Sequence, residues 1–526
     1  MTNSHRLIPV SLAGRAQRWN DGGLPRRQRR LLLGVYLVIA TLLRSVDAYR
    51  PIDGTVWEAW RETDVGAIAR NFYREDSNIL HPRIDWRGDG PGLVESEFPL
   101  QAWSIAGLYR IFGFHEEIAR LLSLVVSVLS CWLFFGIAEM FLPPVGLVAA
   151  LALFAVNALA VRLSTSIQPE PWMFCFYLAA VRFFLRWLQG SNRIAYVIAA
   201  AATALALLVK IPAAHIGVFF SALCLNRWGW RAITRLELWI FAIGSVLPAA
   251  IWYWHARGYW LAYGNSLGIS NEAYAPIASL NFLQILPRLM VNSVMMEIRW
   301  NWTWPGVLIA VAALPSLRGR DGRPLLYWLF SLGLYYVVTI GTTGEGWAYY
   351  YRVSSLPIAC IVIALAVVNL TRWVAEDGRW ATVASVGLCL FVAAALMQLG
   401  KTVWRFHPNA WQTTYECAHY FGSIVPKESL IIVSGGEDVD AWGNPNAGDA
   451  PFYFYWMDRK GFSLTSSHQN LQTVEAFAER GARFAIVDRA RVPRDAGLDV
   501  TLQRRYPVRA ECGGTILLEL SDPSPK

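Results

Sequence analysis

The stretch from Arg44 to Gly113 is dense in carboxylates, with Asp47, Asp53, Glu58, Glu62, Asp64, Glu95 and Glu97 among them. Trp57, Trp60, Phe72, Tyr73, Trp86 and Trp103 are interleaved with them. A hydroxyl is a poor nucleophile near neutral pH, and a positioned carboxylate can take its proton as attack begins. Cations that could hold an anionic leaving group lie nearby and further on. Arg61 and Arg70 sit inside the acidic stretch, Lys210 interrupts a long apolar run beside Pro212, and Arg352 follows Tyr349, Tyr350 and Tyr351. Glu170 enters an apolar run directly after Pro169, where a carboxylate is costly unless it faces a cavity or a partner such as Arg162. Charge alone leaves blander readings open. The stretch also fits a solvated acidic loop with interfacial aromatic anchors. Lys210 fits a side chain snorkelling to the surface, Arg352 a residue that marks topology, and Arg61 and Arg70 helix ion pairs to Glu58, Glu62 or Asp64. Arg44 and Arg120 could pair with Asp47 or with Glu116 and Glu117. His81, His115, His215, His255, His407, His419 and His468 show no metal-ligand spacing, so no zinc site is expected.

The elements that must position these groups are mostly membrane spans. Of 526 residues, 55% are hydrophobic and 16% charged, against roughly 25% charged in soluble domains. The apolar residues come in long blocks with the charges between them, which excludes a disordered chain, a collagen and a disulfide-stapled mini-protein. The net charge of +9 leaves no soluble basic face for nucleic acid. About 20 apolar residues cross a bilayer. On that basis spans fall at Leu31–Ser45, Leu121–Leu142, Val145–Ala160, Pro171–Leu188, Ile194–Leu208, Ile211–Leu225, Leu238–His255, Trp302–Leu314, Leu325–Ile340, Leu356–Leu370 and Ala381–Leu399. With about 11 crossings, the basic clusters all fall on the cytoplasmic side: Arg15, Arg18, Arg26, Arg27, Arg29 and Arg30; Arg182, Arg186 and Arg193; Arg227, Arg231 and Arg235; Arg318, Arg320 and Arg323; Arg372 and Arg379. The loop of residues 47–120, the Gly258–Asn301 loop and the tail then lie outside. No cleavage site follows the first span, so it reads as a signal anchor.

The expected organisation is a basic N-terminus at 1–30, a transmembrane module at 31–400 and an extracytoplasmic α/β domain at 401–526. In that last domain Ser429–Ser434, Phe484–Val487 and Thr515–Leu520 read as strands, and Leu471–Arg480 as a helix. Cys417 and Cys512 lie there and could pair or stay as thiols. The other five cysteines fall in spans. In the first outer loop, Val65–Tyr73 and Leu100–Phe112 have the spacing of amphipathic helices at the membrane surface.

This set of segments resembles the GT-C superfamily of integral-membrane glycosyltransferases, and within it the family 39 enzymes, which include protein O-mannosyltransferases and aminoarabinose transferases. The likeness rests on Trp60-Arg61-Glu62-Thr63-Asp64, Ile68-Ala69-Arg70-Asn71-Phe72-Tyr73, Glu97-Phe98-Pro99-Leu100, Gln168-Pro169-Glu170, Leu208-Val209-Lys210 and Tyr349-Tyr350-Tyr351-Arg352 before Leu356-Pro357. The chain departs from the family pattern in three ways. No Lys follows Glu97, Val65 rather than a second acid follows Asp64, and no Trp-Trp-Asp motif of oligosaccharyltransferases occurs.

The resemblance implies a mainly α, polytopic bundle that transfers one sugar from a polyprenyl-phosphate donor to a glycan, lipid or protein acceptor outside a bacterial inner membrane. It needs no cofactor or metal. Asp64 is then the expected base and Glu97 a second carboxylate that binds the acceptor or orients Asp64. Lys210, Arg352, Tyr351, Arg61 and Arg70 are expected at the donor phosphate, and Glu170 at the donor sugar. A competing expectation is a transporter or flippase for a lipid-linked sugar. Such proteins tend to carry inverted repeats with matched broken helices, and none is visible in this sequence.

Overall fold

The computed structural model describes residues 24–269, 280–375, 380–404, 409–439, 448–489 and 497–520. Arg15, Arg18, Arg379 and His407 lie outside the described residues. The described residues are mainly helical with one five-stranded sheet. It divides into two compact units. The first comprises residues 1–48, 120–251 and 273–405, and the second residues 49–119, 252–272 and 406–526.

The first unit is built from apolar helices. Four helices of the described chain are long and apolar enough to cross a membrane: Glu116–Phe141, Leu236–Tyr263, Gly346–Ala375 and Ala381–Val403. Shorter apolar helices include Pro144–Val156, Arg193–Val209 and Trp304–Arg318. Every residue from Leu356 to Leu370 is buried, so this helix forms the centre of its unit. On Leu236–Tyr263, by contrast, Ile240, Ile243, Val246, Leu247 and Ile251 point outward. Outward aliphatic side chains at this density fit a lipid solvent, which asks for no polar coat. One helix, Leu280–Glu297, occupies part of the stretch expected as an outer loop. Asn281, Gln284, Arg288 and Asn292 dilute its apolar content, while Leu283, Met290, Val291 and Val294 keep a helical spacing on one exposed side.

The second unit joins the first outer loop to the tail. The sequence predicts an amphipathic surface helix over Val65–Tyr73, and the observed helix is longer, Ala59–Arg74. Instead every residue from Ala59 to Phe72 except Trp60 is buried. The reason is tertiary: Pro451–Met457, a short helix of the tail, packs along it. Gly66 makes the approach possible, because a Cβ there would stand 2.9 Å from the Tyr455 ring. Trp456 Nε1 donates to Ile52 O at 2.7 Å, and Tyr455 OH to Glu116 at 2.6 Å.

The sheet has the order β2-β1-β3-β5-β4, with β1 Leu430–Ser434, β2 Gly461–Leu464, β3 Ala482–Asp488, β4 Val508–Cys512 and β5 Thr515–Glu519. β1 runs parallel to β2 and β3, and β5 is antiparallel to β3 and β4. Ile432, Phe462, Leu464, Val474, Ala485, Val487, Ile516 and Leu518 form its core. Cys417, on helix Gln412–Ile424, is disulfide-bonded to Cys512 at the end of β4, with Cα atoms 5.5 Å apart.

Candidate active site

Asp64 lies in the second turn of Ala59–Arg74 and is 4% exposed. Trp86 Nε1 donates to its Oδ1 at 3.0 Å. The carboxylates around it are matched by cations. Glu97 is ion-paired with Arg61. Asp85 pairs with Arg70 at 2.5 Å and accepts from Asn71 Nδ2 at 2.9 Å. Asp64 is in no ion pair among the described residues. Burial therefore pushes its carboxyl up to about 7, helped by the negative charges of Asp449 and Asp85 and opposed by the Trp86 N–H and Arg61. A carboxylate that ionises near neutral pH is matched to taking a hydroxyl proton there.

Glu97 is placed by two backbone attachments of its loop. The main chain of Glu95 accepts from Leu267 at 2.9 Å and donates to Asn265 at 3.0 Å. Trp252 Nε1 donates to Ser96 O at 3.0 Å, with its ring against Phe98 at 5.1 Å between centroids. Arg70 also bonds Tyr455 O at 3.0 Å and pairs with Asp458 at 3.1 Å. It thus ties the helix to the tail. Arg61 is brought to the carboxylates, whereas Arg70 is committed to this structural network.

In the first unit three expected residues come together. Lys210 Nζ stands 2.8 Å from Glu170 Oε1 and 5.1 Å from the centre of the Tyr351 ring. Lys210 leaves the end of helix Arg193–Val209 in extended backbone, and Pro212 follows, so the helix cannot continue through it. Glu170 opens helix Glu170–Gly190, which makes Lys210 its partner in place of the expected Arg162. Arg162 stacks on Tyr349 at 5.1 Å. Beside the pair, the buried N–H groups of Gln168 and Trp172 have no hydrogen-bond partner among the described residues. Such donors are costly where water is absent.

Arg352 is fully buried and held by its own surroundings. It donates to Ser293 Oγ at 2.9 Å and to Thr343 O, lies over Tyr336 at 4.1 Å, and stands 3.7 Å from Glu297. Arg44 donates to Ala155 O and Phe154 O, both at 3.0 Å, and Arg120 to Thr165 O at 3.2 Å. Glu116 accepts from Ile52 N at 2.8 Å as well as from Tyr455. Glu116 thus also serves the loop before the helix and the tail. Among the described residues no group of three or more His, Cys, Asp or Glu could hold a metal ion.

Sequence reasoning missed Trp86, Asp85 and Asp449. Trp86 was visible only as one of many interleaved aromatics. Asp449 lies 385 positions after Asp64 in the tail, and no local pattern links the two.

Residues 91–254 match the family model for dolichyl-phosphate-mannose-protein mannosyltransferase. That stretch holds Glu97, Glu170 and Lys210 but not Asp64. No curated protein matches the sequence. Among solved structures, ArnT from Cupriavidus metallidurans bound to undecaprenyl phosphate superposes with a TM-score of 0.57 at 12% identity, over 94% of this chain and 99% of that one. The Archaeoglobus fulgidus oligosaccharyltransferase, in complex with zinc and sulfate, gives 0.53 at 15% identity over 87% and 68%. The arabinofuranosyltransferase AftD from Mycobacteria gives 0.53 at 14% over 95% of this chain and 40% of that one. At these identities the likeness shows the fold alone, one shared with these membrane-protein structures over most of this chain. The matched family model describes a mannosyltransferase, and two of these neighbours are an oligosaccharyltransferase and an arabinofuranosyltransferase.

Proposed function

We propose that this chain is an inverting glycosyltransferase. It moves one sugar from a polyprenyl-phosphate donor to an acceptor hydroxyl of a glycan, lipid or protein outside the bacterial inner membrane. Asp64 takes the hydroxyl proton, the acceptor oxygen attacks the anomeric carbon, and the sugar–phosphate bond breaks with its electron pair leaving on the phosphate. One carboxylate suffices, because a phosphate departs without needing a protonated acid, unlike the alkoxide that glycoside hydrolases release. Glu97, held by Arg61, binds the acceptor. Lys210 carries the leaving phosphate with Tyr351 beside it, Arg352 anchors the segment after the tyrosines to Ser293 and Thr343, and Glu170, Gln168 and Trp172 address the donor sugar.

The observation that carries this reading is the buried Asp64, in no ion pair among the described residues, whose carboxyl is pushed up to about 7. The unpartnered donors of Gln168 and Trp172 beside the Lys210–Glu170 pair support a polar donor headgroup in the membrane unit. The Cys417–Cys512 bond supports an oxidising compartment for the tail. In this reading the chain crosses the membrane about eleven times with its N-terminus cytoplasmic, which the basic clusters between the apolar blocks support.

The test avoids knowing the sugar. A strain that lacks the gene should lose a mass increment of one glycosyl unit from an envelope component, seen by mass spectrometry. The wild-type gene should restore it, and Asp64→Asn, at equal protein level, should not. Full restoration by Asp64→Asn would falsify the assignment of the base.

A further inference from the structure

The arginines of the first unit are unevenly served. Helices Glu116–Phe141 and Glu170–Gly190 run side by side in the same direction. Ser123 Oγ donates to Ser166 O at 2.9 Å, and further along Arg182 donates to Trp132 O at 3.3 Å. Arg182 stands eight residues before the end of its helix, about 12 Å inside it at 1.5 Å per residue. It does not reach out to the surface as a snorkelling arginine does. Only 8% of it is exposed, and its guanidinium lies over the Trp132 ring at 4.0 Å. Gly136, one turn on from Trp132, makes the cradle, since a Cβ there would collide with the guanidinium. Among the described residues the Arg182 Nε has no hydrogen-bond partner, and the side chain is in no ion pair. A cation buried in this way within a membrane is costly unless an anion reaches it.

Two more cations stand at the same end of the bundle. Arg186, one turn beyond Arg182, is exposed and shares the Phe183 ring with it, both guanidinium carbons lying 5.8 Å from the ring centre. Arg29, from helix Arg26–Arg44, lies over Phe135 at 5.4 Å and bonds both oxygens of Glu139. Trp132, Phe135, Gly136 and Glu139 recur at three- and four-residue steps, which is one face of one helix. Arg29, Arg186 and Glu139 are all within electrostatic reach of Arg182. Three guanidinium groups thus meet a single carboxylate, which Arg29 already occupies. From Trp132 the outward-facing Leu129 and Val125 continue the face along the helix, an apolar track of the kind that a lipid tail covers.

We propose that Arg182, on its Trp132–Gly136 cradle, and Arg186 bind the phosphate of an anionic phospholipid whose acyl chain lies along Leu129 and Val125. The excess of positive charge selects a lipid of net negative charge over a zwitterionic one, in which an ammonium already offsets the phosphate. The site is separate from the Lys210–Glu170 pair, because Glu170 opens the helix at whose other end Arg186 stands. It depends on the membrane setting of the first unit and not on the proposed sugar transfer.

The experiment is native mass spectrometry of the full-length protein in detergent, titrated with phosphatidylglycerol or with phosphatidylcholine of the same acyl chains. The wild type should bind phosphatidylglycerol more tightly. Arg182→Gln and Arg186→Gln should each weaken that binding about fivefold and leave phosphatidylcholine unaffected. Arg186 is exposed, so its substitution spares the fold even if that of Arg182 does not. Arg320→Gln, which removes the same charge from another exposed position, should leave the affinity as it is. Equal affinity for the two lipids, an unchanged affinity in Arg186→Gln, or an equal loss in Arg320→Gln overturns the proposal. Displacement of phosphatidylglycerol by excess inorganic phosphate overturns it too, since the site would then take a free anion and not a lipid.

Discussion

Asp64 differs from Asp53, Asp85 and Glu97 in one respect, for each of those has an arginine at hydrogen-bonding distance and Asp64 has a tryptophan N–H. A buried carboxyl with no counter-ion favours its neutral form. The cost falls on the fold. The folded-state value, about 7, exceeds the ordinary 3.8. Protonated Asp64 therefore supports the fold fully below about pH 4, and that support is lost as pH rises through 7. Thermal melting of the wild type should decline between pH 5 and pH 8. Asp64→Asn should flatten this decline and melt higher than the wild type at pH 8. A parallel decline in both proteins would show that Asp64 is not the buried acid described. At this scale the sequence marked the right neighbourhood, because an acid beside Trp60 and Arg61 is unusual between apolar blocks. It did not separate Asp64 from Glu62 or Glu58 on physical grounds. The separating facts, a bond to Trp86 and the nearness of Asp449, depend on residues that no spacing rule connects.

Among the elements, β2 is the one whose form is most tightly constrained. An ideal Cβ on Gly461 would stand 1.8 Å from Ile431 O in β1. The same residue bonds the turn that carries Trp86, donating to Asp85 O at 3.1 Å and accepting from Gly88 N at 2.6 Å. Gly461→Ala should therefore separate β2 from β1 and loosen the turn together, at a cost of about 2–4 kcal/mol. Hydrogen exchange is the measurement: Gly88 and Ile431–Ser434 amides should lose protection in step, whereas β4 and β5 should keep theirs. Loss at β1 alone would mean that the turn stands without these bonds. β2 and β4 were not legible beforehand, since a four-residue Gly-Phe-Ser-Leu segment and a Val-Arg-Ala-Glu-Cys segment are too short and too polar to read as strands. β1, β3 and β5 were legible because each is an apolar run. Ala59–Arg74 was legible as a helix and illegible as a core element. Its burial comes from the tail, and its Arg and Asp residues disguise a dry position because their partners, Glu97, Asp85, Asp458 and Trp86, lie on other segments.

For the whole molecule, the second unit is assembled from three separated stretches of chain. A linear reading sees an outer loop, part of another loop and a tail, and assigns the tail a separate existence. The disulfide fastens the last of these stretches internally across a separation of 95 residues. Removing it with Cys417→Ser and Cys512→Ser should cost about 2–5 kcal/mol by the loop-entropy argument. Limited proteolysis should then cut the tail first, and wild-type protein should change its gel mobility when reduced. Mobility unaltered by reduction would mean that the thiols are free.

The Tyr455–Arg70 bond joins residues 385 positions apart. At 5–20 residues per second, the helix that bears Asp64 leaves the ribosome roughly 20 to 80 s before the segment that will brace it. Through that interval the nascent chain holds an unbraced acidic helix. On the proposed activity, competence arrives only with the chain's final quarter, so a truncated product would insert in the bilayer and remain inert.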